Sequence, residues 1–130
     1  MLTDPTKIYR DTRATSSVAC ASPHQLIDIL LEACLEKLAE SKGAMQRRDV
    51  RTKAESLKRA IDIIVNLQAS LDFEKGGSIA VQLDDLYTFC TNRLALANAL
   101  NDTSKLDEVY KVIAEIKLGW SALKGAGLDG

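Results

Sequence analysis

Hydrophobic positions recur along this chain at helical spacing in four blocks, and no stretch of useful length alternates residue by residue as a strand would. The first block opens at Ser22-Pro23-His24-Gln25. Ser22 can cap the first free amides, Pro23 suits the first helical position, and Gln25 can complete a capping box. Leu26, Ile27, Leu30, Ala33, Cys34, Leu35 and Leu38 follow at steps of one, three and four, which predicts a helix to Lys42 or beyond. The second block predicts a helix over 50–71. Leu57, Ala60, Ile61, Ile64, Leu67 and Leu71 form its main stripe. Ile63 and Val65 fall outside that stripe and widen the apolar arc to about 200°. A surface helix needs little more than about 100°. The second helix is therefore either central in a bundle or offers apolar surface to a partner.

Gly76-Gly77 is expected to end that helix, since glycine tolerates the backbone of helix ends and turns. A third helix is expected over 78–100. Its main stripe is Ile79, Leu83, Leu86, Tyr87, Cys90, Leu94 and Ala97. Phe89, Leu96 and Leu100 make a separate line, edged by Gln82 and Arg93. A second apolar line beside a core stripe is what a helix-in-groove binder needs; a neighbouring helix covering it is the plainer alternative. After Asn101-Asp102-Thr103, a fourth helix is expected from Ser104, with Asp107 at capping-box distance, carrying Leu106, Val109, Tyr110, Val112, Ile113, Ile116, Trp120 and Leu123.

Four amphipathic helices with short connections predict an all-α fold, an antiparallel four-helix bundle with an extended N-terminal arm. Residues 1–21 lack periodicity and form the arm, although Ile8, Tyr9 and Val18 give it docking points. The bundle is expected over 22–124. Gly125, Gly127 and Gly130 mark a flexible tail at 125–130.

Composition narrows the function by exclusion. A chain of 130 residues with a net charge of −1 gives no long-range reason to expect nucleic acid or an anionic membrane. No apolar run approaches the length of a membrane span, and Met1 to Arg10 has no signal-peptide core, so a cytosolic protein without membrane insertion is expected. Three separated cysteines and one histidine do not supply a zinc site, and the cysteines read as free thiols. No P-loop or nucleophile elbow is present, and Asp84-Asp85 diverge around a helix. Neither enzyme activity nor a cofactor is expected. Residues 42–59 hold seven basic side chains, but Asp49 and Glu55 interrupt them and no aromatics interleave. That reads as a solvated helix corner more than a nucleic-acid surface. The residues alone imply a helical interaction protein, and leave a scaffold or adaptor for another partner as the alternative reading.

Several motifs together resemble the FliS family of flagellin-specific export chaperones of bacterial flagella. They are Ala21-Ser22-Pro23-His24-Gln25-Leu26-Ile27, with Tyr9 before it, then Lys58-Arg59-Ala60-Ile61-Asp62-Ile63-Ile64, and then Leu71-Asp72-Phe73-Glu74-Lys75-Gly76-Gly77-Ser78-Ile79-Ala80. Leu86-Tyr87, Arg93-Leu94, Ala97-Asn98, Asn101-Asp102, Glu108-Val109 and Trp120 extend the likeness almost end to end. The stretches Leu31-Glu32-Ala33-Cys34 and 43–51 depart from the family pattern. The resemblance implies a cytosolic chaperone that binds the C-terminal region of flagellin, prevents premature polymerisation and helps present it to the export apparatus. It also implies that the client wraps the bundle in extended and short helical segments, and that the N-terminal arm can occupy part of the empty site. Combined with the wheel geometry, this makes Ile8 and Tyr9 a displaceable cover. It makes Ile61, Ile64, Val65, Phe89, Leu96 and Leu100 groove contacts.

Overall fold

A computed structural model describes residues 21–123; the arm residues 1–20, with Ile8 and Tyr9, and the tail from 124 lie outside the described residues. Four helices make up this part: α1 (Pro23–Arg47), α2 (Val50–Ala69), α3 (Phe73–Leu100) and α4 (Thr103–Leu123). The capping box at α1 forms as expected. Gln25 N–H donates to Ser22 Oγ at 3.1 Å, and Ser22 N–H donates to Gln25 Oε1 at 2.8 Å. Only Arg48 and Asp49 separate α1 from α2. Arg48 takes the left-handed conformation (φ 57°), and Asp49 caps α2 by accepting the Thr52 amide at 3.1 Å. The α3–α4 link repeats this device with Asn101 (φ 51°) and Asp102. Connections this short force sequential helices to lie antiparallel. α1 packs between α2 and α4, and α3 closes the ring between the same two helices.

Two details differ from the sequence expectation. Gly76-Gly77 does not end α2. The turn comes earlier, at Ser70-Leu71-Asp72, where the Asp72 carboxylate accepts the Glu74 and Lys75 amides at 3.1 and 3.0 Å and starts a helical turn. Gly77 then breaks α3 internally (φ 52°, ψ −126°), a conformation that a Cβ makes costly. Gly76 has a separate reason to be glycine: a Cβ there would stand 3.0 Å from Ala80 Cβ. At α4 the cap is Asp102, not Ser104. Its carboxylate takes both the Ser104 amide (2.9 Å) and hydroxyl (2.6 Å), and Asp107 instead pairs with Lys42 across the bundle at 3.0 Å. Aspartate two residues upstream outcompetes serine because a charged acceptor makes the stronger bond to the free amides.

The core is continuous from α1 through α2 to α3 and α4, with Leu31, Leu38, Ile63, Ile64, Leu94 and Ile113 among its fully buried members. Ile63, which fell outside the expected stripe of α2, sits at its centre with no exposed surface. The broad apolar arc of α2 is thus mostly explained by burial. Cys34 and Cys90 are free and buried. Burial and the neighbouring Cys90 push the Cys34 thiol far up, and burial pushes Cys90 up to about 12, so neither forms a reactive thiolate near neutral pH.

One end of the bundle is fastened by a reciprocal clasp. The His24 and Trp120 rings stack at 4.6 Å, 8° from parallel. His24 Nε2 donates to the Trp120 carbonyl (2.7 Å), and Trp120 Nε1 donates to the His24 carbonyl (2.9 Å). Beside it, Lys117 on α4 lies 3.7 Å from both Asp28 and Glu32 on α1. His24 therefore has a structural role, at the junction of the first turn of α1 and the last turn of α4.

Candidate partner-binding surface

Apolar surface left outside the core concentrates on α3. Phe73, Ile79, Val81, Leu86, Phe89, Leu96 and Leu100 are all exposed, the extremes being Phe89 at 36% and Leu100 at 62%. Ile79 and Leu86, expected in the core stripe, belong to this outer set. The reason is geometric. The buried line of α3 runs through Ala80, Tyr87, Cys90, Leu94 and Ala97, and Ile79 and Leu86 lie to one side of it.

Cross-helix bonds fix which side is which. Gln68 on α2 donates to Asp84 Oδ1 at 2.8 Å and to Thr88 Oγ1 at 2.9 Å, so that flank of α3 faces α2. On the opposite flank Arg93 Nε lies 3.2 Å from Glu108 on α4. Ile79, Gln82, Leu86, Phe89, Arg93, Leu96 and Leu100 follow one another by alternating steps of three and four along this α4-facing flank. That is the heptad spacing of a coiled-coil seam. It covers six turns, about 30 Å. The Arg93 guanidinium also lies over the Phe89 ring, 5.2 Å from its centroid.

The residues expected to line one groove are therefore divided. Phe89, Leu96 and Leu100 lie on the α4-facing seam. Val65 is exposed on α2 (44%). Ile61 is half-buried and packs against the core. By its place on the α2 wheel, Ile61 lies on the flank that Gln68 turns toward α3. Ile64 is a correction: it has no exposed surface, because it lies on the inward line with Leu57, Ala60 and Leu67. A client can reach it only if the bundle opens. Ile79 and Leu86 were missed as surface residues, and the signal for them was the unbroken three-four spacing into which they fall with Phe89, Leu96 and Leu100.

The basic stretch contains no free basic strip. Lys42 pairs with Asp107 at 3.0 Å, Arg51 with Glu55 at 3.5 Å and Lys58 with Asp62 at 2.9 Å. Lys53 donates to the Asn98 carbonyl and to Asn101 Oδ1, both at 3.1 Å, and so closes the C-terminal end of α3. Among the described residues no group of three or more His, Cys, Asp or Glu side chains could hold a metal ion, and no helix is long and apolar enough to cross a membrane.

The model of the family described as flagellar protein FliS matches residues 5–126. The chain belongs to the FliS family. It is 42% identical over 117 residues to the flagellar secretion chaperone FliSB of Pseudomonas aeruginosa, covering 90% of this chain and 93% of that one. Its identity to the flagellar secretion chaperone FliS of Vibrio cholerae is 39% over 115 residues, covering 88% and 85% of the two chains. The FliS chaperone of Salmonella typhimurium is 39% identical over 118 residues, covering 90% and 87%. This bundle leaves apolar surface on α3 where its own core does not require it.

Proposed function

We propose that this FliS-family chain is a cytosolic flagellar secretion chaperone that acts by stoichiometric binding, without catalysis. Its client is the C-terminal region of flagellin. Masking that region prevents premature polymerisation, and the complex is passed to components of the flagellar export apparatus. The observation that carries this reading is the run of exposed apolar side chains on α3, Ile79 to Leu100, in a chain whose relatives are named flagellar secretion chaperones. A client that is disordered when free loses conformational entropy on docking, so it needs a broad apolar contact to bind usefully. A six-turn seam on α3, with Val81 on its other flank and Val65 exposed on α2, supplies such breadth. Residues 22–124 are the binding domain in this account. Residues 1–21 form an arm whose Ile8 and Tyr9 cover apolar surface until the client displaces them, and 125–130 is a tail.

The test is calorimetric titration of the full chain with the C-terminal segment of flagellin from the same bacterium, with its N-terminal segment as control. Saturable one-to-one binding of the C-terminal segment alone is expected. A folded chain that binds neither segment contradicts the proposal.

A further inference from the structure

Arg93 is the only charged residue in the α3 seam, and it sits between Phe89 and Leu96. In a heptad seam, a charged residue among mostly apolar ones costs affinity but fixes register and orientation, because a misregistered partner covers it without supplying acceptors for the guanidinium donors that Glu108 leaves unused. We propose that Arg93 sets the register of a client helix lying along the α4-facing flank of α3. The occupant is an amphipathic helix with apolar residues at steps of three and four and a carboxylate within that apolar line, placed opposite Arg93. This rests on the reading of the chain as a chaperone for a flagellar client.

Three observations carry it. First, the seam keeps its spacing for six turns, long enough to hold one helix. Second, the guanidinium is held on the seam: it lies over the Phe89 ring at 5.2 Å, and its Nε faces Glu108 at 3.2 Å. A head group fixed by two neighbours loses less freedom when it captures a carboxylate than a free one does. Third, the guanidinium has five N–H donors, and one carboxylate does not exhaust them. The Arg93 side chain keeps 34% of its surface exposed, so an incoming acid can reach it. Once a client helix covers the seam, the contact is drier and the charge-assisted bond strengthens.

The experiment compares two probes on the full chain: the C-terminal flagellin segment, and the same segment with its Asp and Glu residues changed to Asn and Gln. The quantity read is the ratio of their affinities. The wild-type chain is expected to prefer the acidic probe by about tenfold or more, the range of a charge-assisted hydrogen bond. Arg93→Met should bring the ratio close to one. Arg93→Lys, which keeps the charge and loses the fork, should leave it intermediate, and it serves as the informative variant if Arg93→Met unfolds. Glu108→Gln, which removes the internal competitor, should raise the ratio. If Arg93 only clamps α3 to α4, its replacement weakens both probes alike and leaves the ratio unchanged, which overturns the proposal. Absence of binding by either probe to the folded wild-type chain overturns the chaperone reading as well, so the two failures are distinct.

Discussion

α1 and α3 occupy opposite corners of the same bundle and are of similar length, yet they are put together differently. α1 buries ten of its 25 residues, including Leu30, Leu31, Leu38 and Met45, and exposes no large apolar side chain. α3 buries five of 28 and exposes seven large apolar side chains. Both helices carry polar locks to their neighbours, so the difference lies in the apolar residues; the large ones of α1 are buried or at its ends. On α1, Ser41 Oγ lies 2.7 Å from Ser56 Oγ on α2, and Asp28 takes the Ser121 hydroxyl of α4 at 2.8 Å. A helix that only needs to fold spends its apolar residues on the core. α3 keeps a second apolar flank that folding does not use, and the proposed function gives that flank to a client.

That contrast can be broken by substitution. The largest effect is expected for Leu38→Ala, which empties a fully buried site and should cost about 2–5 kcal/mol in a denaturant titration. Leu96→Ala on the seam should change stability by no more than about 0.5 kcal/mol while weakening binding of the flagellin C-terminal segment. Equal stability losses for the two would erase the distinction between the helices. Gly77→Ala forces a Cβ into a positive-φ conformation and should cost about 1–3 kcal/mol. Its thermal melt should fall although nothing crowds the new methyl group. Trp120→Phe keeps a ring over His24 but removes the bond to its carbonyl, an expected loss of about 1 kcal/mol seen by chemical denaturation.

The smallest effect concerns acid. Hydrogen bonds from Thr52 hold the Asp49 carboxyl below its usual range, and hydrogen bonds from Ser104 do the same for Asp102. Both groups are therefore more acidic folded than unfolded. Their stabilisation is present above the ordinary carboxylate value and is lost as pH falls through the lower, folded one. Melting temperatures should decline in acid, and Asp49→Asn with Asp102→Asn should flatten that limb slightly by lowering the neutral plateau, where the ionised caps stabilise the fold.

Much of the bundle was legible in the sequence, for identifiable reasons. The α1 cap was readable because Ser22, Pro23 and Gln25 act within one turn. Helix identity was readable because apolar spacing is local. The Gly76-Gly77 turn was misplaced because glycine signals a break without saying whether the chain reverses there; the nearby Asp72 cap decided it. Ile64 was expected as a groove contact, and Ile79 and Leu86 in the core, for one shared reason. A wheel shows how wide an apolar arc is, but the direction of the core depends on which neighbours pack, and only cross-helix bonds such as Gln68 to Thr88 and Arg93 to Glu108 reveal that. The His24–Trp120 clasp spans 96 residues, a distance no local pattern reaches.

The central claim is that α3 presents a docking seam while the other outer faces do not. Hydroxyl-radical footprinting with and without the flagellin C-terminal segment tests it directly, because it reads side-chain access residue by residue. The account predicts protection of Leu86, Phe89, Leu96 and Leu100, with exposed Tyr110 and Leu118 on α4 unchanged. Protection of Tyr110 and Leu118 with an unaltered α3 seam would contradict it.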